Sequence, residues 1–266
     1  MSFQGMQMKH FLRTPLESYK GRIIGCAPGT HAALAAVISR HLNAEDRSAV
    51  LDIGTHSGAL LLRLKDDLGF SDLTGTDLDA TRFDVPDTDF KRLELNQPFS
   101  HHFDKKFQLI TATDVIEHLD SPRMFLTEIH SLLEEDGWLA ISLPNVASWQ
   151  GRVKFLLKGE LWGFGEKNYR SQRHISPITG EQMVMMMHEL GFSVVSKGSA
   201  GSFSTPYMKA LTFPIWALAS LLNGISPLGE CAIFLARRTA PDENLKLPTH
   251  YQKRWKGIPD RVGLDD

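Results

Sequence analysis

Cysteine is nearly absent from this chain: Cys26 and Cys231 are the only two, far apart in 266 residues. Such a pair offers neither a metal-ligand spacing nor a disulfide framework, and it points to a reducing cytoplasm. The N-terminus also lacks the basic-then-apolar pattern of a signal peptide. Charge of one sign is not in surplus, since 29 Lys and Arg stand against 31 Asp and Glu for a formal net charge of -2. With the basic residues spread along the chain there is no long-range attraction to phosphates, which disfavours a nucleic-acid partner. No apolar run reaches the roughly 20 residues of a transmembrane helix, and no internal repeat is visible. What is present is the balance of a folded globular chain, 42% hydrophobic and 23% charged.

Hydrophobic periodicity orders that material. Short apolar runs predict strands over 49–53, 73–76, 90–93, 107–112, 138–142, 192–195 and 231–236, with helical patterns between them. Thr30 is the expected N-cap of a helix carrying Leu34, Val37, Ile38 and Leu42. A second helix is expected over 59–68. A third opens on Ser121 with Pro122 at its first position and is closed by Gly137. Thr179-Gly180-Glu181-Gln182 has the form of a capping box ahead of Met183, Met186, Met187 and Leu190. Strands alternating with helices predict an α/β fold, a mostly parallel sheet with helices on both faces. Residues 1–20 read as an arm or surface cap, and the charged, proline-containing tail 239–266 as an exposed arm.

The strongest chemical signal is Val50-Leu51-Asp52-Ile53-Gly54-Thr55-His56-Ser57-Gly58, a strand that delivers an acid and then glycine where the chain reverses into a helix. Glycine there permits close approach of a ligand. Gly75-Thr76-Asp77-Leu78-Asp79 then places an acid at the end of the next strand, where nucleotide-binding sheets hydrogen-bond ribose hydroxyls. A nicotinamide-dinucleotide site would want three glycines in the order G-x-G-x-x-G. Only Gly54 and Gly58 are present, with His56 between them.

These residues resemble the class I S-adenosylmethionine (SAM)-dependent methyltransferases, and within them the O-methyltransferases of ubiquinone biosynthesis and of polysaccharide clusters. The resemblance runs from about residue 49 to 198. It rests on Asp52, Gly54 and Gly58 in the first motif, with His56 where glycine is usual, and on Asp77 as the ribose-binding acid. Glu94-Leu95-Asn96-Gln97-Pro98 looks like the segment whose carboxylate meets the adenine. Thr113-Asp114-Val115-Ile116-Glu117-His118-Leu119 resembles the motif after the fourth strand, beside the methionine end of SAM and the acceptor. Gly137 to Asn145 and His174 to Thr179 match two further segments. The resemblance implies a Rossmann-like seven-stranded sheet with an antiparallel last strand, occupying 46–238, with acceptor-side insertions near 149–173 and 205–228. It implies SAM as cofactor, held by Asp52, Gly54, Thr55, His56, Gly58, Asp77, Leu78, Glu94, Leu95 and Thr113.

The expected activity is O-methylation of a small-molecule, glycan-linked or lipid-linked acceptor. The alternative is a catalytically weak SAM-binding or assembly module, suggested by the missing central glycine. Methyl transfer to a hydroxyl benefits from a general base, and histidine suits neutral pH. His118 and His174 are the catalytic candidates, whereas His56 reads as a turn residue near the SAM carboxylate. His101 and His102 read as a solvated loop. Glu117 with Asp114 offers two carboxylates to a cation, but one turn of acids reads more simply as exposed, and metal independence is expected. The stretch 149–173, with Trp149, Phe155, Trp162, Phe164 and Tyr169 among Lys154, Lys158, Arg170 and Arg173, suits an aromatic, sugar or lipid-phosphate acceptor, or a lid packing only on its own domain. The nearly uncharged segment 207–228, interrupted by Pro214, reads as a buried or homodimer-forming helix. Its other reading is a peripheral membrane contact that admits a glycolipid-like acceptor, although the Lys/Arg-rich polar face usual in interfacial helices is missing.

Overall fold

The computed structural model describes residues 15–221 and 229–241. All seven expected strands form, and a small hairpin precedes them, with β1 at Ser18–Tyr19 and β2 at Arg22–Ile23. The strands of the main sheet are β3 (Ala49–Ile53), β4 (Asp72–Asp77), β5 (Asp89–Arg92), β6 (Phe107–Thr113), β7 (Leu133–Pro144), β8 (Phe192–Ala200) and β9 (Cys231–Arg238). Their order is β5-β4-β3-β6-β7-β9-β8. The pairs β3/β4, β3/β6, β4/β5 and β6/β7 are parallel. The last strand, β9, enters between β7 and β8 and runs antiparallel to both.

The helices are α1 (Thr30–His41), α2 (Ala59–Leu68), α3 (Pro122–Leu132), α4 (Trp149–Lys158), α5 (Glu166–Gln172), α6 (Gly180–Glu189) and α7 (Pro206–Leu221). Because side chains alternate along a strand, β3 serves two cores. Ala49, Leu51 and Ile53 join Phe125, Leu126, Ile129, Met183 and Met187 of α3 and α6 on one face. Val50 joins Leu34, Ile38, Leu60, Leu61 and Leu64 of α1 and α2 on the other. Every residue of β3 is buried, as a central strand covered on both faces must be. The carboxyl ends of β3, β4 and β6 therefore meet at one edge, with the strand order reversing between β4 and β6.

Local signals hold where a side chain carries them. The Ser121 hydroxyl accepts from Met124 N with Pro122 at N1, and both bonds of the Thr179/Gln182 capping box are made. Two expected boundaries are corrected. The cap of α1 is Gly29 in the left-handed region (φ 92°), and Thr30 is the first helical residue with its side chain buried. Gly137 does not end α3, which stops at Leu132. It lies inside β7, where the register shifts as the chain passes from the Phe107–Leu133 pairing to Leu109–Trp138.

The described residues of the arm expected over 1–20 pack on α2: Tyr19 donates its hydroxyl to Asp67 at 2.8 Å, and Glu17 pairs with Arg63. Residues 1–14, 222–228 and 242–266 lie outside the described residues, and with them most of the tail. Of the segment read as interrupted by Pro214, the described part, to Leu221, is helical and continues through that proline. Among the described residues no helix is long and apolar enough to cross a membrane.

Candidate functional site

Asp52 is the fourth residue of β3 and 2% exposed, with Thr111 donating to its Oδ1 at 2.6 Å. Beyond it the chain turns sharply. Gly54, His56 and Gly58 all take positive φ, at 72°, 49° and 76°. A Cβ on Gly54 would come within 2.4 Å of Val115 Cγ2, so the close approach that requires glycine here is to the protein itself. His56 adopts the left-handed conformation that glycine adopts freely, and the turn keeps its path at a cost of about 1 kcal/mol. Backbone ties hold it against β4, with Gly54 N and Thr55 N donating to Thr76 O at 2.8 and 3.1 Å.

At the end of β4 the Asp77 carboxylate accepts from His56 N at 2.8 Å and from Asp79 N at 3.2 Å. Each oxygen retains a lone pair for a ligand hydroxyl. Glu94 is exposed and accepts from Asn96 N at 3.0 Å.

After β6 the chain reverses at Asp114, another non-glycine residue at positive φ (53°). Ser142 donates to its Oδ1 at 2.6 Å. A single 3-10 turn, Ile116–His118, follows. The Glu117 carbonyl accepts from both Ile175 N and Ser176 N at 3.0 Å, which clamps the segment after α5 onto this turn. His118 and His174 consequently meet edge to face, with ring centroids 4.8 Å apart. His174 Nδ1 lies 2.7 Å from the Gly163 carbonyl. A carbonyl can only accept, so Nδ1 carries the proton and Nε2 the lone pair. Burial, and then the charge of His118, hold the His174 imidazole below its usual value.

These elements enclose a cavity of about 1190 Å³. Its lining includes His118, His174 and the positions Asp52, Gly54, Thr55, His56, Asp77, Leu78, Glu94, Leu95 and Thr113. Gly58 stands behind it, packed against Val85 and Phe83. From the acceptor-side stretch, Lys154, Trp162, Lys167 and Arg173 reach the cavity, whereas Phe155 and Tyr169 are exposed elsewhere. Phe164 packs on the His174 ring.

The model of a family described as a methyltransferase domain matches residues 28–197. The chain belongs to this family. It is a class I SAM-dependent methyltransferase. No curated protein matches its sequence. Among solved structures, a SAM-dependent methyltransferase from Archaeoglobus fulgidus superposes with a TM-score of 0.54 at 17% identity, over 89% of this chain and all of that one (100%). A chain from the Haloferax volcanii complex of the Trm112 methyltransferase activator with a methyltransferase gives the same score and identity over 89% and 92%. Magnesium protoporphyrin IX methyltransferase from Synechocystis, solved with S-adenosylhomocysteine, gives 0.51 at 14% identity over 79% and 82%. At these identities the likeness is one of fold.

Several residues of the methyltransferase's cavity carried no catalytic or cofactor-binding expectation from the sequence. His31 lines it, is 8% exposed, and is pushed down to about 3 by burial first and Arg63 second. Cys26 and Cys231, remote in sequence, both line it as free thiols. Glu117 departs most from expectation. It is 1% exposed rather than on a solvated turn, because the reversal at Asp114 directs it inward beneath residues 174–176.

The central acid gives the protein a pH signature. Burial raises the Asp52 carboxyl to about 7, only partly opposed by the Thr111 hydrogen bond, whereas in the unfolded chain it titrates near ~3.9. Between those values the folded state binds more protons, so stability is full below the unfolded pKa and is lost as pH rises through about 7. Asp52→Asn, free of cofactor, is expected to gain on the order of 2–3 kcal/mol over the natural chain on going from pH 5 to pH 8.5. Urea unfolding at both pH values measures this, and equal pH slopes for the two proteins would contradict it.

Proposed function

We propose that this methyltransferase transfers the methyl group of SAM to a hydroxyl oxygen of a small-molecule, glycan-linked or lipid-linked acceptor seated beside His118 and His174. The observation that carries the reading is the imidazole pair at the cavity wall, one ring fixed in the tautomer that leaves Nε2 able to accept a proton.

The residues present suit the cofactor. Asp77 and Leu78 would hold the ribose, Glu94 and Leu95 would lie beside the adenine, and the turn from Gly54 to Gly58 with Asp52 and Thr113 would hold the methionine end. His56 Nδ1 and Thr113 Oγ1 are buried without a partner, as polar atoms awaiting a ligand would be. Because His56 preserves the left-handed turn, the missing glycine does not by itself argue for a weak binding module.

Bound SAM supplies an electrophilic methyl on a sulfonium. The protein's task is to align the acceptor oxygen with that carbon and to dispose of its proton. Transfer would form the O–C bond as the S–C bond breaks with its electron pair left on sulfur, and His174 Nε2 would take the hydroxyl proton and pass it to solvent. Lys154, Trp162, Lys167 and Arg173 offer the acceptor cationic and aromatic surface.

Incubation with SAM carrying a 13C methyl group and a panel of phenolic, sugar and lipid-linked hydroxyl acceptors tests this directly. The label is expected in an O-methyl resonance. Label on nitrogen or carbon, or no transfer to any hydroxyl in the panel, would overturn the reading.

A further inference from the structure

We propose that Glu117, His118 and His174 form a divalent-cation site in the wall of the cavity. One ligand atom from each, a carboxylate oxygen and two imidazole nitrogens, lie within 4.8 Å of one another. Three atoms so placed have a common point no farther than about 2.8 Å from each, so side-chain movements of about 0.6 Å bring all three to the ~2.0–2.2 Å at which such atoms bind a metal.

A second, independent observation points to a ligand. Both oxygens of Glu117 are buried with no hydrogen-bond partner. A buried carboxylate without donor or counter-charge is costly, and a cation is the ligand that relieves it. The surroundings also have the form of an outer shell. The Gly163 carbonyl takes the Nδ1 proton of His174, which turns Nε2 toward the site, the usual arrangement for a metal-ligating histidine. The spacing of the ligands is set by main chain, through the two bonds from Ile175 N and Ser176 N to the Glu117 carbonyl. Ser176 Oγ adds a bond to Leu119 O at 2.5 Å.

Two imidazoles and one carboxylate favour Mn2+, Co2+ or Zn2+ over Mg2+ or Ca2+. Three protein ligands leave coordination positions open toward the cavity, which is the form of a catalytic rather than a structural site. The role of the ion rests on the hydroxyl-acceptor reading above: a cation there draws in the acceptor oxygen and favours its deprotonated form. With the ion bound, His174 Nε2 is a ligand and no longer the proton acceptor, the hydroxyl proton leaves the ion-bound acceptor to solvent, and metal dependence replaces the metal independence expected from sequence.

Cation binding is measured on the full chain without acceptor, so its failure is separate from failure of the O-methylation reading. Chelator-treated protein is titrated with Co2+ and followed by visible d–d absorption, and with Mn2+ and Zn2+ by calorimetry. One ion per chain is expected. His174→Ala and Glu117→Gln are each expected to weaken binding more than about 100-fold, beyond what outer-shell changes usually cause. Glu117→Gln removes a buried charge at nearly constant volume, and a thermal midpoint at or above that of the natural chain shows that its lost binding is not unfolding. The exposed His101 and His102, with rings 4.0 Å apart, are the competing adventitious site, and the double change His101→Ala/His102→Ala is expected to leave binding intact. No binding of any of the three ions at 1 mM, affinity unchanged by His174→Ala and Glu117→Gln, or loss in the His101/His102 variant would each overturn the proposal.

Discussion

Changing His174 to phenylalanine is expected to lower kcat by about 10²–10⁴-fold, the range in which a positioned acid–base group contributes, while SAM affinity stays within about threefold. The substitution separates two things the imidazole does. Its ring packs edge to face on His118 and against Phe164, and a phenyl ring reproduces that packing. Its nitrogens hold the Gly163 carbonyl and face the cavity, and phenylalanine removes both. The lost Nδ1 bond is a single partly buried one, of about 1 kcal/mol, too small to unfold the chain. Whether Nε2 accepts the acceptor's proton or holds a cation, the loss falls on the chemical step, because the ribose and adenine ends of SAM are assigned to β4 and β5 and the loops after them. A kcat within fivefold of the natural chain, measured with an acceptor that turns over, removes His174 from the reaction. A large rise in the SAM KM at unchanged kcat would make it a residue of the cofactor site instead.

The sheet was legible because its signal is local. A run such as Ala49-Val50-Leu51-Asp52-Ile53 between turn residues can only be a short buried strand or a helix fragment, and its length decides. Likewise Ser121-Pro122 and the Thr179/Gln182 box carry their caps in their own side chains. Errors arose where a distant contact decided. Gly29 caps α1 because Glu17, in the segment before the hairpin, accepts from its backbone N at 2.7 Å. Nothing near Thr30 announces this. The strand β8 runs to Ala200 through Ser196, Lys197, Gly198 and Ser199, a stretch with little strand propensity that is held by pairing with β9.

The site divides in the same way. The positions at the ends of β3 and β4 were readable because their spacing is imposed by one β-turn-α unit. Glu117 was not, since Asp114-Val115-Ile116-Glu117 in isolation reads as an exposed acidic turn. It is buried by the Asp114 reversal and by main-chain bonds to Ile175 and Ser176, which come from the far side of α4 and α5.

Asp77→Ala is expected to weaken S-adenosylhomocysteine binding by about 100-fold, without which the ribose assignment fails. A carboxylate on two ribose hydroxyls makes two charge-assisted bonds of about 1.5 kcal/mol each, and their sum of about 3 kcal/mol corresponds to roughly that factor. Because Asp77 also accepts from His56 N and Asp79 N, alanine loosens the turn as well, and that component has to be removed. Asp77→Asn reduces it: its amide oxygen still accepts from one of the two backbone groups, but it lacks the charge, and its NH2 can only donate to hydroxyls. An intermediate loss of about tenfold is expected for it. The folded fraction of both variants is checked by urea unfolding, and binding by calorimetry. The ratio between them locates the interaction, because loosening of the turn alone would leave Asp77→Asn close to the natural chain. If S-adenosylhomocysteine binds both variants within threefold of the natural affinity, the ribose is held elsewhere in the cavity, and Glu94, the other carboxylate on that side of the sheet, becomes the residue to change next.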